Sequence, residues 1–472
     1  MNHLLDVLRA PARAVLQLLV AGAIGTVAAP AAAQESAVAP LREAAKRTPT
    51  DPAASLALGR ALRRAGHFQE AANELGRGAN LGAASRTGLV TQLRYELART
   101  RIDERNLGAA VAVCTGIPSK GLVAACRAEA YLFQNRAAEA LPEAQKALGL
   151  EAGLYEANVA EGRSLGLQGK VADAETALRA AISTADGRPE AHQHLGQLLA
   201  AQQGKRDLAI VELRKARAAD AADPVIALAL GEALLAAGNA REAREQLVAA
   251  TQIRPTYAAA HAALAQVALE AGDVPAAEAA AAEATRLDKA SFSAHVALGR
   301  VRIAQSRWDD AMKEGEAARK LLPNAAAGEL IVADAHAGKG DIDLAVEAYQ
   351  KAHGLDRTDP AALVRAARAA TAAGRLTTAK GFADRATIDF PAWAPAWVEL
   401  GDVQVKLGDK PRARSAYETA LKSSGPSDRA AVTRTLAAAR CRGERRFRRR
   451  GGQLAPSPRV LASPGWVANR ES

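Results

Sequence analysis

Gly162-Arg163-Ser164-Leu165-Gly166 matches the GxSxG spacing of serine hydrolases, in which a sharp strand-to-helix turn lifts the serine hydroxyl clear of its neighbours. Here the flanking residues keep a helical period, so Ser164 has neither an elbow nor a strand behind it. His192, His194, His261 and His295 are the next groups that could do chemistry, as metal ligands or proton carriers. The three cysteines, Cys114, Cys126 and Cys441, form no CxxC pair and have no His pair nearby, which argues against a zinc site. There is no HExxH, no phosphate-binding glycine loop ending in Lys-Ser/Thr, and no unexplained carboxylate pair. The sequence therefore predicts no enzyme, no cofactor and no metal.

The elements that carry these residues repeat. Pro224 to Pro255 reads as two amphipathic helices around a break at Gly238-Asn239, with Ala227, Leu230, Gly231 and Leu234 on one face of the first and Ala243, Leu247 and Ala250 on the second. Counting Pro224 as position 1, small residues fall at positions 8, 20 and 27, where two helices can approach, and Leu at 7, 11 and 24 fills the flanks. Position 1 recurs at Pro52, Thr91, Gly121, Tyr155, Pro189, Ala258, Phe292, Ala326, Pro360 and Ala394. From Gly121 onward every interval is 34 residues except one of 35, whose extra residue lies in Gln203-Gly204-Lys205. Position 20 is alanine throughout, and position 15 is Gly66, Gly169, Gly238, Gly272, Gly340, Gly374 and Gly408, with Asn135 at another. Glycine and asparagine are the residues that best tolerate the left-handed backbone of a tight break. The second repeat, from Thr91, is irregular, 39 residues after the first and 30 before the third.

This period and pattern resemble the tetratricopeptide repeat (TPR) over roughly residues 35 to 439. The resemblance implies an all-α fold, a right-handed superhelical solenoid of about eleven helix-turn-helix repeats. Residues 1–33 read as a signal peptide, 34–51 as an N-terminal capping helix, 52–427 as the solenoid, 428–439 as a C-terminal capping helix and 440–472 as a basic tail. In this register Cys114 and Cys126 fall on the second helix of one repeat and the first helix of the next, so a disulfide is one reading and two small buried thiols the other. His192, His261 and His295 all occupy position 4, where the family places Trp, and equivalent residues of stacked repeats stand about 10 Å apart, too far to share an ion.

In TPR proteins the first helices line a concave face, with ligand contacts at positions 2, 5, 9, 12 and 13. Position 5 is apolar in six successive repeats, Leu228, Ala262, Val296, Leu330, Val364 and Val398, and position 9 is polar, Glu232, Gln266, Arg300, Asp334, Arg368 and Asp402. Position 12 begins Leu235, Leu269 and Ile303. An apolar row beside charges of both signs suits a peptide or protein segment, and the alternative is that these residues only pack against one another. The Lys and Asn arrangement that clamps a C-terminal carboxylate in chaperone-binding relatives is absent from these positions.

Arg9 and Arg13 precede an apolar run from Ala14 to Ala29 and the small residues Ala31-Ala32-Ala33, which predicts export with a mature start at Gln34; an uncleaved anchor is the alternative. The tail from Arg440 carries nine Arg against Glu444 and Glu471. Taking the tail and the leader from the formal net charge of +11 leaves about +3 for residues 34–439, so the basicity belongs to the tail and the solenoid has no nucleic-acid signature. The tail reads as a binding segment, a solvated end or the product of a frame shift. Together these features predict a periplasmic or secreted protein-interaction scaffold or assembly factor of the cell envelope. The alternative is an accessory TPR protein of exopolysaccharide or other secretion machinery, against which stands an aromatic content of only 3%.

Overall fold

The computed structural model describes residues 30–81, 87–202 and 204–423, with side chains from residue 38 and that of residue 87 left out. Most of the leader, the capping helix expected at 428–439, the basic tail and Cys441 lie outside the described residues. Among the described residues every regular element is a helix, and the chain is an all-α helical repeat solenoid. It divides into two compact units, Met1–Gln305 and Ser306–Ser472.

The described part of the first unit comprises α1 (Pro30–Arg47), α2 (Pro52–Ala65), α3 (Phe68–Leu81), α4 (Thr87–Asp103), α5 (Leu107–Thr115), α6 (Lys120–Phe133), α7 (Ala137–Leu150) and α8 (Tyr155–Leu167). It continues through α9 (Val171–Thr184), α10 (Pro189–Ala200), α11 (Arg206–Ala219), α12 (Pro224–Ala236), α13 (Ala240–Ile253), α14 (Ala258–Glu270), α15 (Val274–Leu287) and α16 (Phe292–Ala304). The second unit holds α17 (Trp308–Leu321), α18 (Ala326–Lys339), α19 (Ile342–Leu355), α20 (Ala361–Ala372), α21 (Leu376–Asp389), α22 (Ala394–Leu407) and α23 (Lys410–Ser423).

The repeat from Pro224 shows why the sequence folds this way. Asp223 caps α12 by accepting from the Val225 amide at 2.7 Å, and Pro224 opens the helix where its missing N–H costs nothing. Gly238 turns the chain with φ +82°, and the Asn239 side chain caps α13. A Cβ on Gly231 would meet Leu247 at 2.7 Å, so the leucine at position 24 sits directly on the glycine at position 8 and does not merely fill a flank. The same knob and hole recur at Gly162 with Leu178 and Gly196 with Leu213 in the first unit, and at Gly401 with Tyr417 in the second. The position-20 alanines from Ala71 through Ala379 are wholly buried between helices.

Position 15 takes positive φ at every predicted glycine, at Asn135, and also at Arg105 and Ser306, which hold the same position in their repeats. Arg105 thereby supports the register of the irregular second repeat. Its odd intervals arise from a long α4 of 17 residues and a short α5 of nine. Cys114 of α5 and Cys126 of α6 are joined by a disulfide, with Cα atoms 5.8 Å apart, inside a cluster with Ala98 and Ile117. The helix before the first full repeat, α1, starts at Pro30 and packs Val38, Leu41 and Ala45 on α2.

Position 4 acts as a staple between repeats. The Nε2 of His261 donates to the Pro255 carbonyl at 2.9 Å and that of His295 to Lys289 at 3.0 Å, each six residues upstream. His192 does the same with Asp186 at 3.1 Å, and in the second unit the Trp397 indole donates to Pro391 at 2.8 Å. These rings therefore satisfy turn carbonyls that would otherwise lack a partner.

Candidate functional site

The position-5 row does not offer a surface. Leu228, Ala262, Val296, Leu330 and Val364 are buried and Val398 is half-buried, because this face of each first helix packs within the array. Leu235 is buried as well, while Leu269 and Ile303 are half-buried. The apolar side of the predicted groove is thus consumed by the solenoid's own packing. What reaches the inner face is polar, above all position 9.

In the first unit Arg300 donates to Gln266 at 3.0 Å, and Glu232 is exposed with no hydrogen bond or ion pair to a described residue. Although the residue is exposed, the surrounding inner face partly desolvates its carboxyl and raises its pKa. In the second unit Asp334 accepts from the Tyr349 hydroxyl at 2.6 Å and from Arg365 at 2.8 Å. Arg368 donates to the buried Glu399 at 2.7 Å, and Asp402 accepts from the Tyr417 hydroxyl at 2.5 Å.

The densest charge constellation lies earlier in the first unit. Glu96 on α4 meets Arg60 at 2.9 Å and Arg63 at 3.5 Å, both on α2. Arg99, one turn further along α4, reaches Glu129 of α6 at 3.4 Å and Glu190 of α10 at 3.1 Å, spanning four repeats. Burial alone would push the Glu96 carboxyl up, but Arg63, Arg99 and Arg60 outweigh it and hold its pKa at about 2. Arg188 stacks on the Tyr155 ring at 3.8 Å and pairs with Glu156 at 2.6 Å. Arg99, Glu129, Glu190, Tyr155, Glu156 and Arg188 line a half-open cleft, into which Arg163 and His194 also face. His194 Nδ1 donates to Gln197 at 3.0 Å, and burial, reinforced by Arg163, pushes its pKa down to about 3, so the imidazole is neutral.

A second set of contacts closes the first unit on itself. Arg254, after α13, donates from Nε to the Arg64 carbonyl at 2.9 Å and from Nη2 to the Arg63 carbonyl at 3.2 Å, satisfying the open C-terminal end of α2. The same guanidinium lies over Phe68 and Tyr257, while Arg64 pairs with Asp220 and Arg105 with Asp288 at 2.9 Å. The two bridges from Arg254 and Arg105 join residues 190 and 183 apart, so the array turns once in about five and a half repeats and clasps its own start.

The constellation around Arg99 escapes a groove reading that begins at Pro224. Yet Arg60, Arg99, Glu129 and Arg163 all hold position 9 of their repeats, and the same ruler run back to Pro52 finds them. Nothing local marks Glu190 or Arg254, which acquire partners only through the superhelical turn. Ser164 is buried within α8 and its hydroxyl donates to the Ala160 carbonyl at 2.7 Å, the bond of a helical serine and not of a nucleophile. No group of three or more His, Cys, Asp or Glu that could hold a metal occurs among the described residues, nor does a helix long and apolar enough to cross a membrane.

Family models described as tetratricopeptide repeat match residues 200–267 and, separately, 35–86, 262–326 and 398–443. The chain carries TPR repeats. Repeats of this kind mediate protein–protein interaction or scaffolding. Among solved structures, the APC/C hetero-tetramer Cut9–Hcn1 is similar at 13% identity and a TM-score of 0.46, covering 86% of this chain and 93% of that one. Yeast Tom70 follows at 14% and 0.44, covering 83% and 96%, and the human IFIT1 dimer with PPP-AAAA at 16% and 0.42, covering 75% and 94%. Likeness at this level says nothing about partner or activity. No curated protein matches the chain.

Proposed function

We propose that the protein is an exported, non-enzymatic scaffold or assembly factor of the cell envelope that holds a protein or peptide segment against the inner face of its TPR array. The observation that carries this reading is the polar position-9 row. Glu232, Gln266 and Arg300 stand on successive first helices of one unit, with Glu232 exposed and uncommitted. Charges of both signs in a fixed ladder set the register of a bound segment, and with the apolar row buried they are what a partner meets. Export is supported by the leader pattern before Gln34, and the Cys114–Cys126 bridge suits an oxidising compartment.

A photo-crosslinking residue placed at Glu232 in envelopes of the native host, compared with one at Arg241 on the outer helix α13, tests the groove. The expected result is a discrete crosslinked partner from Glu232 that Arg241 does not give. Equal or no products from Glu232 would sink the reading. Intact mass of the recovered protein tests the start at Gln34.

A further inference from the structure

The turn between α9 and α10 differs from the other joints between repeats. Asp186 and Gly187 are its central pair, and it is closed by the Arg188 amide, which donates to the Ala185 carbonyl at 3.1 Å. Nowhere else in the sequence does a glycine follow an aspartate or an asparagine. Aspartates in later joints bend their carboxylates back onto the main chain: Asp220 accepts from the Ala222 amide at 3.0 Å, Asp288 from Ala290 at 2.9 Å and Asp356 from Thr358 at 2.9 Å. Asp186 accepts from no main-chain amide of a described residue. Its side chain is 84% exposed, and its Oδ1 shares a single donor, His192 Nε2, with its own carbonyl oxygen, at 3.2 and 3.1 Å. The Gly187 amide meets no acceptor among the described residues, and a Cβ built on Gly187 would stand in open space.

We infer that Asp186 is a site of spontaneous isomerisation, at which the main chain reroutes itself through the aspartate side chain. The Gly187 nitrogen attacks Asp186 Cγ: the N–Cγ bond forms, a Cγ–O bond breaks, and the leaving oxygen departs as water with the amide proton and one proton from solvent. The product is a cyclic imide. Water then adds to it, the hydroxyl going to the original Asp186 carbonyl carbon and the proton to the Gly187 nitrogen as the old peptide bond breaks, and the new carboxyl ionises and returns a proton to solvent. Mass is unchanged, but the backbone now runs Cα–Cβ–Cγ–N, longer by one methylene. Adjacency in the chain gives the two reacting groups a high effective concentration, glycine has no Cβ to shield its nitrogen, and no main-chain hydrogen bond of either group has to break first. The added methylene pulls apart the bond from the Arg188 amide to Ala185, and Arg188 is the residue that stacks on Tyr155 at 3.8 Å and pairs with Glu156 at 2.6 Å. A change on the exposed rim thus loosens the joint between the fourth and fifth repeats and reaches the inner-face charges, whatever that face binds.

The test holds the full mature chain in neutral buffer and samples it over weeks. Electron-transfer fragmentation of its peptides locates isoaspartate, and growth at Asp186 is compared with that at Asp220, Asp288 and Asp356. The expected rate at Asp186 is at least about tenfold higher, a barrier lower by ~1.4 kcal/mol. Gly187→Ala, whose Cβ meets no atom within 4 Å, keeps the turn and slows the reaction severalfold, and Asp186→Glu, which would need a larger ring, forms no isomer. In aged wild type, amides at Arg188 and the start of α10 exchange faster than in fresh protein, whereas aged Asp186→Glu exchanges as it did when fresh. The inference is overturned if Asp186 isomerises no faster than the other three aspartates, if Gly187→Ala reacts at the wild-type rate, or if the isomerised chain exchanges at α10 like the fresh one.

Discussion

The two units are built from the same repeat but dispose of their inner-face charges differently. In the second, the residue at position 24 is tyrosine in two repeats, and its hydroxyl reaches the acid at position 9 of the same hairpin, Tyr349 to Asp334 and Tyr417 to Asp402. In the first, position 24 is Leu75, Leu178, Leu213 or Leu247, which fill the glycine hole, or the smaller Cys114, Ala144 and Ala281, and none offers a hydroxyl. Charges at position 9 must then find partners in other repeats, and Arg99 reaches as far as Glu190. A tyrosine at position 24 thus meets the acid within its own hairpin, whereas an arginine at position 9 reaches into other repeats in both units, Arg99 to Glu190 and Arg368 to Glu399. The lesson is that a repeat's interior polarity is set by which neighbour can supply a hydrogen bond.

The largest expected effect comes from breaking the stitched face. Arg99→Leu leaves Glu96, Glu129 and Glu190 short of a counter-charge and should cost about 3–5 kcal/mol in denaturant unfolding. Its counterpart Arg368→Leu, a half-exposed pair in the second unit, should cost about 1 kcal/mol or less. Equal losses would erase the contrast.

Acid should separate the units next. Glu96 is held at about 2, so its stabilisation is complete above the unfolded carboxylate range near 4.3 and is lost as pH falls toward 2, in total about 3 kcal/mol. His194, neutral when folded with a pKa of about 3, adds to the loss from about pH 6.5 downward, because the unfolded imidazole binds a proton that the folded one refuses. Glu399 of the second unit runs the other way. Burial, against the pull of Arg368, raises its pKa, so its contribution is present at low pH and is lost as pH rises through that raised value. Amide exchange between pH 6.5 and 3 should therefore open α4, α6 and α10 before α20 and α22. The reverse order would refute the assignment.

Reducing Cys114–Cys126, a loop of 12 residues, should lower stability by about 3 kcal/mol or less and loosen only the first unit's exchange. The clasp should matter less than the disulfide. Arg254→Ala removes two charge-assisted bonds to the end of α2 and should cost about 1–2 kcal/mol, seen as faster exchange in α2 and α3 and as a smaller difference between wild type and variant at high salt.

Much of this was legible beforehand. The glycines of position 15, the buried alanines of position 20 and the 34-residue period follow from local chemistry, since a left-handed turn or a close helix contact admits few residue types. The groove was only half legible. A row of Leu228, Val296 and Leu330 reads alike whether it faces a partner or a neighbouring first helix, and packing chose the neighbour. The position-4 histidines likewise read as gap fillers, and their carbonyl partners six residues back emerge only once the turn between repeats has a shape.

By itself the sequence determined that the chain would pair helices into stacked hairpins, because that information is written within each repeat. Only the tertiary structure decided that Arg254 would close on α2 and that Arg99 would meet Glu190. The reason is geometric. Each repeat adds a small rotation to the last, and contacts between residues 183 to 190 apart depend on the sum of those rotations, which no single repeat encodes.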